Sequence, residues 1–217
     1  MNNQEQSNPI NKGTGAGGSN TNVNGKSFEM KTSNEPRLLD SGFVRKNIPG
    51  VGDKIKNGFY YEKQITPTTT VVYLTQGGLK AYFKHFFGKE MCRCPDEAYL
   101  FEQKDGDDGV SYTLKILEKK NQNTSGSVDT KLLAGKAFID EYIYCLGGDG
   151  DGDGDSGSAP FTVEYAFCIN EFLKKDYIAD TKKSKALRFI HKKDGISVLF
   201  GDDTDYFDTL DAWLFGG

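Results

Sequence analysis

From residue 59 to residue 200, short runs of aromatic and β-branched residues alternate with clusters of glycine and aspartate, and no other feature limits the fold as tightly. Such runs fit the pleated, half-buried surface of a sheet, and the clusters between them supply the backbone freedom of tight turns. Phe59-Tyr60-Tyr61 and Thr70-Val71-Val72-Tyr73-Leu74 read as strands. Residues 98–103 and 110–117 read as a hairpin around Asp105-Gly106-Asp107-Asp108-Gly109. In its second arm Tyr112, Leu114 and Ile116 alternate with Ser111, Thr113 and Lys115, giving one buried and one wet face. Residues 137–146 and 161–169 read as a second pair. The first of these also fits a helix, through Phe138, Ile139, Tyr142, Ile143 and Leu146, but its Tyr/Ile/Phe enrichment favours a strand. Residues 187–191 and 196–200 flank Asp194-Gly195 as a third hairpin.

Helical periodicity occurs between these runs. Residues 37–46 follow Pro36 as a short helix, with Pro49-Gly50 closing it. Residues 78–87 carry Leu79, Tyr82, Phe83, Phe86 and Phe87 on one face, with Thr75 as the expected cap. Residues 170–179 open on Asn170 as a cap, and residues 202–215 close the chain as an acidic helix. The expectation is an α+β fold: a mainly antiparallel sheet built from hairpins, with two to four short helices.

Composition sets the domain limits. Residues 1–27 hold seven asparagines and five glycines, with Ile10 and Val23 their only branched aliphatics. That stretch buries too little apolar surface to offset its ordering entropy, so residues 1–34 are expected to form an extended or disordered arm. Residues 35–217 are expected to form one domain, with a flexible Gly/Asp loop at 147–159 and an acidic-aromatic segment at 202–217. The chain has 217 residues, and a formal charge of −4 that is unevenly spread. Residues 28–94 net +5, residues 95–199 net −5 and residues 200–217 net −5. A basic front and an acidic end suit head-to-tail contacts between proteins. Neither an 18-residue apolar run nor an early apolar stretch is present, so neither a membrane span nor a secretory signal is expected. A cytoplasmic or virion location follows, with Cys92, Cys94, Cys145 and Cys168 as free thiols.

Three segments carry candidate sites. Phe207, Leu210, Asp211, Trp213 and Leu214 lie in a C-terminal stretch that either docks on its own domain or inserts into a partner's basic groove. Ile48-Pro49-Gly50-Val51-Gly52-Asp53-Lys54 resembles the hairpin of helix-hairpin-helix modules. That resemblance implies backbone N–H groups at Gly50 and Gly52 facing a nucleic-acid phosphate, with Arg45, Lys46, Lys54 and Lys56 adding attraction. A plain turn between a helix and a strand is the competing reading. Asp149, Asp151, Asp153 and Asp155 follow the spacing that opens an EF-hand-like calcium loop, but the twelfth position is Pro160 rather than a glutamate. A solvated loop is the competing reading there, so no cofactor is expected beyond weak calcium.

Other patterns carry less. Pro95-Asp96 and Glu102-Gln103-Lys104 hold the letters of a metal-dependent nuclease motif, but too few residues separate them for a strand to turn and return. Cys92-Arg93-Cys94 has one residue between thiols, closer than zinc pairs use. Of the two histidines, His85 reads as a packing residue and His191 as exposed beside a turn. Nucleophile-elbow, zinc-helix and phosphate-loop motifs do not occur. The terminal Gly216-Gly217 follows a bulky Trp-Leu-Phe, unlike the tails of ubiquitin-like carriers. The expectation is a non-catalytic structural or interaction subunit, homo- or hetero-oligomeric, such as a virion accessory protein held by its arm. Nucleic-acid binding through residues 37–63 and calcium-dependent binding are the alternatives.

Overall fold

The computed structural model describes residues 26–51, 58–106, 109–123, 128–147 and 161–216. Helix α1 covers residues 26–31, and α2 (Glu35–Leu38) follows with Pro36 in its first turn. The chain continues through β1 (Val44–Asn47), β2 (Phe59–Thr66), β3 (Thr69–Thr75) and α3 (Gly78–Phe87). Next come β4 (Glu97–Asp105), β5 (Gly109–Lys120), α4 (Val128–Leu133) and α5 (Gly135–Cys145). Finally come β6 (Phe161–Ile169), α6 (Glu171–Ile178), α7 (Lys182–Lys193), β7 (Ile196–Phe200) and α8 (Tyr206–Phe215).

All seven strands form one sheet in sequence order, β1-β2-β3-β4-β5-β6-β7. The pairs from β1 to β5 are antiparallel, whereas β5–β6 and β6–β7 are parallel. The fold is therefore α+β as expected, but its sheet is mixed. Parallel neighbours need a long crossover. Helices α4 and α5 fill the first and α6 and α7 the second, so the described residues hold more than the two to four helices expected.

Strand alternation divides the interior into two cores. On one face Val72, Leu74, Leu100, Leu114, Ile116, Tyr165, Phe167 and Ile169 meet helices α3 to α6 through Leu79, Phe83, Leu132, Ile139, Tyr142 and Leu173. On the other, Val71, Tyr73, Tyr99, Leu117, Ala166, Cys168 and Leu199 meet Phe28, Leu38, Phe43 and α8. The result is three layers, with the sheet in the middle. Residues 26–34 belong to this packing, because Phe28, Thr32 and Asn34 are buried. The expected arm extends over them by composition, and its remainder, residues 1–25, lies outside the described residues.

Two predicted hairpins are corrected. Residues 137–146 form α5, whose Ile139, Tyr142 and adjoining Leu146 are buried at helical spacing. The β-favouring side chains there fill a helix face, and the period outweighs the propensity. Residues 187–191 are the second half of α7, not a strand. Gly195 has φ +68°, a conformation that ends a helix as readily as it turns a hairpin. The short helix expected at 37–46 is also corrected: only α2 is helical, and Val44–Asn47 is the edge strand β1. Thr75 remains in β3, and Gly77 opens α3 without a side-chain cap. Asn170 caps α6 as expected, accepting the Leu173 N–H at 3.3 Å.

A buried ion pair fixes the N-terminal segment to the sheet. Lys119 Nζ lies 2.7 Å from Glu97 Oε1, with both side chains almost fully enclosed. The same oxygen accepts the Asn34 N–H at 3.0 Å, and Oε2 accepts the Tyr99 hydroxyl at 2.8 Å. Every lone pair in use has a donor, the condition under which a buried charge pair is tolerated.

Candidate functional site

Helix α7 starts at Thr181, whose Oγ1 accepts the Ser184 N–H at 3.1 Å. From Lys182 to Lys193 it carries six lysine or arginine residues and no carboxylate. Its side chains fall into three sectors. Ser184 and His191 are buried against the domain. Lys183, Ala186, Leu187 and Ile190 line a groove of about 430 Å³, closed on its other side by Leu132 and Leu133 of α4 and by Leu173 and Tyr177 of α6. Lys182, Lys185, Phe189 and Lys192 recur at i, i+3, i+7 and i+10, which aligns them as one outward stripe.

The stripe is unusual in its exposure. Phe189 is 69% exposed, and Leu133 and Ile178 beside the groove are 47% and 54% exposed. Lys185 pairs with exposed Asp180 at 2.5 Å, whereas Lys182 and Lys192 meet no carboxylate among the described residues. Arg188 is used internally, donating from Nη1 to the Tyr177 and Ala179 carbonyls.

His191 holds the floor of the groove. Its Nε2 is 2.8 Å from the Leu132 carbonyl, which only accepts, so Nε2 carries the proton and Nδ1 accepts the Tyr177 hydroxyl at 3.3 Å. The ring stacks on Tyr177 with centroids 5.6 Å apart. Burial holds its pKa below the ordinary histidine value, outweighing the Leu132 hydrogen bond. The expected exposed His191 is thus a buried neutral link between α4, α6 and α7, because it lies on a helix and not beside a hairpin turn. His85, the expected packing residue, is exposed on α3 instead, against Phe86.

Helix α8 occupies the opposite face of the sheet. Tyr206, Leu210 and Leu214 are buried, so two of the candidate partner residues lie in the core. Asp211 pairs with Arg37 at 2.7 Å, and the same guanidinium lies 4.4 Å from the Phe207 ring centre. Lys115 donates to the Trp213 carbonyl at 3.0 Å, a cation at the helix C-terminus. The exposed positions are Asp205, Asp208, Thr209, Ala212 and Phe215, again one stripe, with the Phe215 ring partly covered by Phe101 of β4 at 5.9 Å between centroids. Neither Asp205 nor Asp208 forms an ion pair among the described residues.

The remaining candidates separate. In β1, Arg45 lies over Phe59 and Lys46 pairs with Glu62, so both cations are engaged along the sheet edge. Gly50 has φ +74°, and Gly52, Lys54 and Lys56 lie outside the described residues. Asp149, Asp151, Asp153 and Asp155 also lie outside them, and no cluster of metal-ligating side chains occurs among the described residues. Cys92 and Cys145 are bonded, which corrects the free-thiol expectation for that pair: the loop before β4 and the end of α5 meet there, with Cα atoms 6.7 Å apart. Cys94 is free and exposed, and Cys168 is buried, its thiol pushed up to about 12 by desolvation. No helix among the described residues is long and apolar enough to cross a membrane.

In comparisons with known proteins, no family model, curated protein or solved structure matches the chain. The α7 stripe was missed in the sequence because residues 95–199 net −5 as a block. A narrower window, from the Thr181 cap to Asp194, isolates its six cations.

Proposed function

We propose that the chain is a non-catalytic structural subunit of a protein assembly, held to its neighbours through the α4–α6–α7 face. The observation that carries this reading is Phe189, 69% exposed beside an apolar groove. It stands between Lys185, which pairs only with exposed Asp180, and Lys192, which meets no carboxylate among the described residues. An exposed aromatic beside an apolar depression resembles the centre of a protein interface, with the lysines placed as its polar rim. The lysines select a partner of acidic character. Nucleic acid would be attracted by the same charge, but the leucines and isoleucine of the groove, with Asp176 among its lining, favour an apolar protein side chain over a phosphate backbone.

The test is lysine labelling of the protein in an extract of its native source and of the purified chain at low concentration. Lys182, Lys185 and Lys192 are expected to be protected in the extract and reactive in the purified chain, with Lys63 and Lys104 unchanged. Equal reactivity in both preparations contradicts the reading.

A further inference from the structure

The proposed assembly role leaves the partner open, and two stripes on opposite faces of one sheet identify it. On α7, Lys182, Lys185, Phe189 and Lys192 face outward. On α8, Asp205, Asp208, Ala212 and Phe215 face outward with the same i, i+3, i+7, i+10 spacing. Each stripe carries one exposed aromatic, Phe189 at 69% and Phe215 at 44%. Two of the α7 cations and both α8 carboxylates form no close ion pair among the described residues, although Asp205 lies within electrostatic reach of Lys174. The helices are of similar length, twelve and ten residues, so their stripes run over comparable distances.

We propose that the chain associates head to tail with copies of itself, the basic α7 stripe of one copy seated on the acidic α8 stripe of the next. This rests on the assembly reading and names the partner of the same face. Like charge opposes the two symmetric alternatives, since α7 against α7 sets lysines together and α8 against α8 sets aspartates together. What is left is a contact between two different patches. Such a contact does not close on itself as a twofold dimer, and it propagates into a ring or a filament. Because the stripes lie on opposite faces of the sheet, a copy that has used one stripe keeps the other free, so a pair still presents one free stripe of each kind.

The test uses two full-length variants that remove one stripe each without creating a complementary charge. The first is Lys182→Ser/Phe189→Ser/Lys192→Ser, and the second is Asp205→Ser/Asp208→Ser/Ala212→Ser. All these positions are on the surface except for partial shielding by neighbours, and circular dichroism checks that both variants fold. Analytical ultracentrifugation of the wild type is expected to show mass that grows with concentration. Each variant alone is expected to remain monomeric, with association weakened roughly thirtyfold or more. Their equimolar mixture is expected to form a one-to-one dimer and nothing larger, because each supplies the stripe that the other lacks. If one variant fails to fold, Phe189→Ser and Asp208→Ser singly replace the pair in the same mixing experiment. A mixture that stays monomeric while the wild type assembles overturns the pairing but leaves the assembly reading intact. A monomeric wild type overturns self-association, and protected α7 lysines in the native extract then assign the face to a different acidic protein. Equal lysine reactivity in extract and purified chain defeats the assembly reading itself.

Discussion

Helices α7 and α8 are close in length and lie on opposite faces of one sheet, yet they meet the domain in different ways. Helix α8 buries Tyr206, Leu210 and Leu214, and Arg37 and Lys115 fasten its outer turns. Helix α7 fully buries only Ser184 and His191, leaving Leu187 and Ile190 to line a groove and Phe189 in water. Helix α8 is held by three buried apolar side chains, whereas α7 is held by Ser184, His191 and the internal hydrogen bonds of Arg188, which leaves apolar surface for another molecule. The acidic terminal segment, the most conspicuous candidate by sequence, is thus well packed, while the helix with surface to spare is α7.

The largest expected difference is in packing. Leu210→Ala on the α8 side should cost about 2–5 kcal/mol in urea unfolding, as deep large-to-small changes do. Leu187→Ala on the α7 side should cost clearly less, because that side chain is only partly enclosed. Equal losses would erase the contrast between the helices.

Next is Gly201→Ala, at the junction between β7 and α8. A Cβ there would lie 2.6 Å from Phe28 Cζ and 2.7 Å from both Cys168 Sγ and Thr32 Cγ2. Overpacking of this kind costs about 1–3 kcal/mol. A neutral result would show that residues 26–34 can move away from α8 without loss.

A pH effect should distinguish the faces further. The pKa of His191 is lowered on folding, so its neutral form is the one the fold favours. Its contribution is therefore complete above the unfolded histidine value and is lost as pH falls through that value toward the lower folded one. The urea midpoint should drop on acidification below about pH 6.5, and less so in His191→Phe, which has no proton to gain. Identical slopes in the two proteins would remove His191 from the account.

The smallest effect on stability belongs to Phe189→Ala, expected within about 0.5 kcal/mol of the wild type. A loss above 2 kcal/mol would mean that Phe189 is part of the fold and not of a contact surface.

The sequence reading succeeded where local and global signals agreed. The turn after β4 and the Asn170 cap are each decided by near neighbours. Alternation in β5 puts Leu114 and Ile116 in one core as expected, but the face expected to be wet is covered by α8 and buries Lys115 and Leu117. The β4–β5 ladder runs from Glu97 opposite Leu117 to Asp105 opposite Gly109, close to the hairpin expected. It failed where the signals are degenerate. Asp194-Gly195 satisfies a helix end and a hairpin turn with one backbone conformation, and the β-formers of α5 sit at helical spacing. Both errors have the same consequence, since removing two crossover helices turns a parallel half-sheet into hairpins. In the site, the charge asymmetry of the acidic end was legible, but not its orientation: Leu210 and Leu214 face inward and Asp205 and Asp208 outward. The basic stripe of α7 was hidden by averaging over a block that includes many aspartates.

Sedimentation of the full-length chain as a function of salt tests the central claim most directly, because the proposed contact joins lysines of one copy to aspartates of another. At low ionic strength the weight-average mass should rise with concentration beyond a dimer, and it should fall to the monomer as salt screens the charges. A mass that stays monomeric at all salt concentrations, or a closed dimer indifferent to salt, would contradict it.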